Sequence, residues 1–213
     1  MDDYINFINS YSHIADRFVT MDIPCDQRPH ITIQKLPNRE KIEKTIENTL
    51  YIMERVNYQN KIMSVVQGYL PEEYEYCCTL MRQHGIITEV TGIGSLCIRK
   101  YTRNAVHDIK TILDTIRKQL PNTKLHAFGL NIRFLLRREI REKLHSSDSA
   151  AWLIPYDKYG RITLLRYSGA IQEIDTFTLT RRGRKVELDL ETIYFHLMLT
   201  YILKLIDSDI LTL

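Results

Sequence analysis

The chain has no CxxC pair and no cysteine–histidine spacing of the kind that holds zinc. Its four cysteines are Cys25, Cys77, Cys78 and Cys97, two of them adjacent, and they read as reduced thiols of a cytoplasmic protein. No Gly-rich loop of the GxGxxG or Walker type is present, which weakens a nucleotide-cofactor assignment. Metal and cofactor are both read as none. No apolar run reaches the roughly 20 residues that span a bilayer. The longest, IYFHLMLTYILKLI at 193–206, is short and carries His196 and Lys204, so no membrane partner is expected. The first ten residues, MDDYINFINS, are acidic and polar and do not read as a secretory leader.

What is present suits an ordinary globular domain. The chain has 213 residues, 44% apolar and 26% charged. That is long enough to bury a real core. The net charge of +3 permits a nucleic-acid partner without requiring one.

Along the chain, strand-like and helix-like segments alternate. A short helix is expected over 2–14 and a strand over 17–22. Residues 38–57 predict a helix capped by Asn38, with Ile42, Ile46, Leu50 and Met53 as its apolar stripe. A strand over 61–66 follows, then a helix opened by Pro71 and closed by Gly85. A strand is expected over 86–91 and a helix over 102–119, with Val106, Ile109, Leu113 and Ile116 on one face. TKLHAF reads as a strand, 133–144 as a basic helix, and the residues before Asp148 as a last short strand.

Such alternation implies parallel strands with helical crossovers, in an open doubly wound sheet or a (β/α) barrel. Five successive strands end on polar residues or glycine: Asp22, Gln67-Gly68, Gly92-Ile93-Gly94, His126 to Gly129, and Ser147-Asp148. Loaded ends in a row favour the barrel, where catalytic residues come from several strands at one face. The expectation is therefore an α/β, TIM-barrel-like fold, incomplete or rearranged. Residues 1–155 would form the barrel core. Residues 156–213 would form a β-rich extension with an apolar helix that completes or caps it.

The strand ends carry a resemblance. FVTMDIPCD at 18–26, VVQG at 65–68, GIGSLC at 92–97, LHAFGL at 125–130 and SSDSAAW at 146–152 resemble, in order and spacing, the tRNA-guanine transglycosylase superfamily. They are most similar to its 7-deazaguanine DNA transglycosylase (DpdA-like) branch. The resemblance implies a TIM-barrel enzyme that exchanges guanine for a 7-deazaguanine base such as preQ0. The base is a co-substrate, and the target is nucleic acid, DNA in preference to tRNA.

It also implies roles. Asp148 and Asp22 form the catalytic set, Asp148 as the nucleophile that attacks C1′ and Asp22 as the base-binding aspartate. Gln67, Gly68, Gly92, Gly94, Ser95 and His126 fall in the base-recognition segments. A carboxylate suits the covalent step, because two displacements at an anomeric carbon retain configuration. An acid accepts from the N1–H and N2–H₂ donors of guanine, and an amide N–H can read O6. Arg99, Arg137, Arg141, Arg181, Arg182 and Arg184 are candidates for the nucleic-acid backbone. A solvated charged face explains them equally well. Asp148 in a Ser-Asp-Ser cluster is also what a helix cap looks like.

Three departures qualify the resemblance. The family's earlier strands, with an Asp-Ser-Gly-Gly or Asp-Ser-Gly-Ala motif bearing the acid/base aspartate, have no counterpart before Asp22. The segment 167–189 weakly echoes that motif, with Tyr167 in the aspartate's place and Asp175 as a remote substitute. The cysteine-rich zinc motif of the tRNA enzymes is absent. The alternative is a non-catalytic or split-enzyme relative that binds nucleic acid or a partner subunit. Its apolar C-terminal helix would pack on a second copy or another chain.

Overall fold

The computed structural model describes residues 1–27, 35–148, 178–181 and 184–187. The chain divides into two compact units, Met1–Asp148 and Ser149–Leu213.

The first unit opens with α1 (Asp2–Tyr11), whose first turn carries Asp2 and Asp3, the sign that a helix N-terminus favours. The helix stops short of residue 14. The segment after it is tied down by Lys61, whose Nζ donates to Ser12 O at 2.5 Å and Ala15 O at 2.9 Å. β1 (Phe18–Val19) follows, and Thr20 N–H extends its pairing by donating to Met63 O at 3.0 Å. Ile5 and Ile8 pack with Phe18, Ile52, Val56 and Ile62 in one apolar cluster.

α2 (Asn38–Met53) begins after Pro37, and Asn38 does not cap it. The Asn38 amide instead clasps Asp26, accepting from its N–H at 3.1 Å and donating to its carbonyl at 2.9 Å. The buried face is Ile42, Thr45, Ile46, Thr49 and Ile52, with Lys41, rather than the expected stripe through Leu50 and Met53. Thr45 and Thr49 fit because each hydroxyl donates to the carbonyl four residues back, at 2.8 and 2.9 Å.

The expected strand 61–66 is broken into β2 (Ile62–Met63) and β3 (Val65–Val66). At Ser64 the segment changes partners. β2 pairs in parallel with β1, and β3 with β4 (Val90–Ile93). Ser64 N–H goes to the Thr88 hydroxyl at 3.0 Å, while its carbonyl accepts from Gly92 N–H at 2.8 Å. β4 starts four residues later than expected because Thr88 and Thr91 hydroxyls bond nearby carbonyls around a bend at Glu89.

α3 (Pro71–Gln83) ends where Gly85 was expected to end it. Gly85 adopts φ +65°, Gly85 N–H donates to Arg82 O, and Ile86 N–H reaches back to Met81 O: a Schellman closure. α4 (Arg103–Gln119) is capped by Thr102, whose hydroxyl accepts from Ala105 N–H at 3.1 Å. β5 (Lys124–Ala127) pairs with β4, and β6 (Ser146–Ser147) pairs with β5. The helix expected over 133–144 is two single turns, α5 (Ile132–Leu135) and α6 (Arg138–Arg141). Arg137 between them is extended, and the open Leu135 carbonyl accepts from Arg141 Nη1 at 3.0 Å.

The six strands of the first unit therefore run parallel in chain order, and among the described residues no reversal marks a doubly wound sheet. The helices pack beside one another in the same order, α2 on α3, α3 on α4 and α4 on α6. The fold is mixed α/β with parallel sheets. The closed barrel expected from the strand ends is not formed among the described residues. They make an open wall that ends at β1 on one side and β6 on the other. Loaded strand ends report direction and order, but closure needs pairing between the first and last strands, which no local pattern encodes.

In the second unit, β7 (Thr178–Arg181) and β8 (Arg184–Glu187) form an antiparallel hairpin. The expected apolar C-terminal helix and Asp175 lie outside the described residues.

Candidate active site

Parallel strands place their C-terminal ends on one rim. β1 leads to Asp22, β3 to Gln67 and Gly68, β4 to Gly94 and Ser95, β5 to Phe128 and Gly129, and β6 to Asp148.

Asp22, Gln67 and Ser95 form one hydrogen-bonded group. Gln67 is fully buried, and its Nε2 donates to Asp22 Oδ2. Ser95 Oγ donates to Gln67 Oε1 at 2.7 Å and accepts from Cys25 N–H at 2.9 Å. Burial pushes the Asp22 carboxyl above its ordinary range, against the lowering effect of the Gln67 amide. Gln67 N–H rests on Cys77 Sγ at 3.3 Å. Buried Cys25, Cys77 and Cys78 each have a thiol pushed up to about 12, chiefly by desolvation, so they pack as thiols rather than react.

The glycines of the rim make room for protein groups. A Cβ on Gly94 would lie 2.0 Å from Gln67 Nε2, and one on Gly92 would lie 2.3 Å from the Phe128 ring. A Cβ on Gly68 would meet Tyr74 N at 2.7 Å. Tyr74 is itself buried and donates its hydroxyl to Gly94 O at 2.8 Å. Glu73 secures the turn before α3, accepting from Tyr69 N–H at 2.7 Å, Leu70 N–H at 3.0 Å and the Asn38 amide at 3.1 Å.

Asp148 is held by β5. Its Oδ1 accepts from Gly129 N–H at 2.9 Å and lies 3.4 Å from His126 Nε2. The other imidazole nitrogen faces Ser146 Oγ at 2.9 Å. His126 thus serves Asp148 and packs edge-on against Phe128, with ring centroids 4.8 Å apart. The Asp148 side chain remains 61% exposed. The exposed Cys97 links the two carboxylates: burial raises its thiol most, and the charges of Asp148 and Asp22 both add to the rise. Both acids stand at the C-terminal ends of parallel strands.

The arginines differ among themselves. Arg99 sits over the Tyr69 ring at 4.2 Å and donates to Tyr69 O, with its Nε buried and unbonded. Arg137 Nε donates to Tyr101 OH at 3.2 Å, and Arg133 sits over the same ring at 5.7 Å. Arg141 braces the α5–α6 turn. Arg181 and Arg184 pair across the β7–β8 hairpin in the other unit, and Arg182 lies outside the described residues. Among the described residues no cluster of three metal-ligating side chains occurs. Sequence reasoning missed Phe128, Tyr74 and Tyr101. An aromatic immediately before a strand-end glycine, as in LHAFG, was the available signal for the first.

Parallel strands in chain order, with an amide, two carboxylates and an aromatic ring at their ends, agree with a match to a 7-deazaguanine DNA transglycosylase-like family related to tRNA-guanine transglycosylase. That family is DpdA, DeoxyPurine in DNA protein A; its model matches residues 18–191, and the chain belongs to it. None of the curated proteins matches the chain. Membership carries a coarse assignment, a glycosyltransferase-like enzyme of DNA guanine modification. No helix of the described residues is long and apolar enough to cross a membrane.

Proposed function

We propose that this chain exchanges guanine in DNA for a 7-deazaguanine base through a covalent glycosyl–aspartate intermediate, with Asp148 as the nucleophile. The observation that carries this is the Asp148 carboxylate. One oxygen is fixed by Gly129 N–H with His126 beside it, while the side chain stays open at the strand ends.

With Oδ1 occupied, Oδ2 is the atom free to attack C1′. The C1′–N9 bond breaks, its electron pair leaves with guanine, and guanine takes up a proton. The incoming base gives up its N9 proton and attacks C1′. The C1′–O bond then breaks and the carboxylate returns, so two displacements retain configuration. The proton gained by one base equals the proton lost by the other. Asp22, held by the buried Gln67 amide, accepts from the N1–H and N2–H₂ edge, and the Phe128 ring supplies a stacking face. The target base reaches these strand ends from single-stranded or flipped DNA. Arg99 and Arg133, over tyrosine rings, and Arg137, bonded to the Tyr101 hydroxyl, offer guanidinium and π surface to the flanking strand. The wall of strands is read as a segment of a (β/α) barrel.

The test is guanine release. Single- and double-stranded DNA and tRNA with labelled guanine are incubated with the protein and preQ0, beside Asp148→Ala and Asp148→Asn. Release from DNA that is lost in both variants is the expected result. Intact DNA binding with no release from any substrate would overturn the catalytic assignment and leave a binding protein.

A further inference from the structure

His126 is seated from two sides. Its register partner on β6 is Ser146, and the His126 Nδ1 lies 2.9 Å from the Ser146 hydroxyl. A hydroxyl donates or accepts, so this seat holds the neutral imidazole and the imidazolium alike. The opposite nitrogen, Nε2, lies 3.4 Å from Asp148 Oδ1. That is an ion-pair distance, longer than the 2.9 Å bond that Gly129 N–H makes to the same oxygen. The Nε2 proton is therefore not locked into a short bond. The His126 side chain keeps 17% exposure beside an Asp148 that is 61% exposed, so solvent and substrate reach the pair. The imidazole also meets the Phe128 ring at a steep angle, with centroids 4.8 Å apart. One side chain thus touches the carboxylate that attacks C1′ and the aromatic ring that takes the base. The bond to be broken, C1′–N9, joins those two parts of the nucleotide.

We propose that His126 is the acid and base of the exchange, the group that protonates the departing guanine and deprotonates the incoming base. The assignment rests on the base-exchange function proposed above and goes beyond it. As Asp148 Oδ2 bonds to C1′, the C1′–N9 electron pair passes into guanine, and the Nε2 proton of the imidazolium passes to N9. The neutral imidazole then takes the N9 proton of the incoming base. The N9 electron pair of that base bonds to C1′ while the C1′–Oδ2 bond breaks. The Asp148 carboxylate and the imidazolium are both restored, and no other donor or acceptor is consumed. Retaining transfer works with acid and nucleophile about 5 Å apart, and Nε2 stands inside that reach. Asp22, bonded to Gln67, serves the N1–H and N2–H₂ edge, away from N9.

A 7-methylguanine leaving group separates an acid from a side chain that only holds Asp148. It departs from DNA as a neutral base and needs no proton. Its methyl group takes the position that carries the substituent of preQ0, so the proposed site has room for it. Single-turnover release of guanine and of 7-methylguanine from single-stranded DNA is followed for the full chain, His126→Gln and His126→Ala. Wild type is expected to release both bases, and Asp148→Ala neither. Both His126 variants are expected to lose guanine release at least about 30-fold more than 7-methylguanine release, within the roughly 100- to 10,000-fold that general acid–base catalysis supplies. Added imidazole is expected to restore guanine release in His126→Ala. Equal losses on the two bases, or no loss on either, overturn the inference and leave base exchange standing. Wild type that releases neither base overturns the base-exchange function, and the role of His126 with it.

Discussion

A single methyl group at Gly94 separates two ways of understanding the rim. The glycine spacing was legible in the sequence, and it suggested backbone approaching a flat base. The space is in fact filled by the Gln67 amide, just as the space at Gly92 is filled by Phe128. Those contacts cross from one strand to the next, so no local pattern could announce them. Gly94→Ala is expected to cost on the order of 1–3 kcal/mol in stability and to abolish base binding. Denaturant melts beside base titration check both. Asp22 and Asp148 were legible as strand-end acids, but their different surroundings were not. Asp22 has a carboxyl raised by burial, so the folded protein binds a proton there more readily than the unfolded chain does. Stability from this group is therefore greatest in acid and falls as pH rises through its titration. Asp22→Asn removes the buried charge. It is expected to melt higher than wild type at neutral pH, with the difference closing on acidification, while guanine release is lost. Thermal melts across the pH range, run beside the release assay, decide this.

Among the elements, those bounded by one strong local signal sit where the sequence puts them. Thr102 starts α4, and Pro71 and Gly85 bracket α3. Gly85 has open space around its Cα, so Gly85→Ala isolates the conformational cost. That cost is expected to be about 1 kcal/mol, read as a shift in the urea midpoint at unchanged slope. Elements whose limits depend on side-chain bonds to distant backbone moved. β4 starts late because Thr88 is committed to Ser64, and the basic helix breaks where Arg141 is drawn to Leu135. The break separates the arginines of that stretch and leaves Arg133 and Arg137 on Tyr101. Replacing both with Gln is expected to reduce the slope of log affinity for single-stranded DNA against log salt by about 1 to 2. Arg138→Gln, whose partner is Glu142, is expected to leave it unchanged.

For the whole molecule, alternation and loaded strand ends read correctly as parallel strands in chain order only within Met1–Asp148. Whether such strands close on themselves was beyond the sequence. α1 shows the same limit from the other side. Its amphipathic pattern was plain, but not that it seats Ile5 and Ile8 on β1, α2 and β2. Ile8→Ala is expected to destabilise the protein by about 2–5 kcal/mol, measured by chemical denaturation.

The Tyr4 hydroxyl donates to Val19 O at 2.6 Å. Since Thr20 N–H points to β2, alternation turns the Val19 carbonyl to the outer side of β1. The family match begins at Phe18, so the phenol comes from a helix outside it. Among the described residues no strand pairs with that edge, so the borrowed hydroxyl acts as a stopper where a bare strand would recruit its own kind. Trimming the chain to the boundary that kinship suggests would pull that stopper, and what remained would be expected to stick to itself.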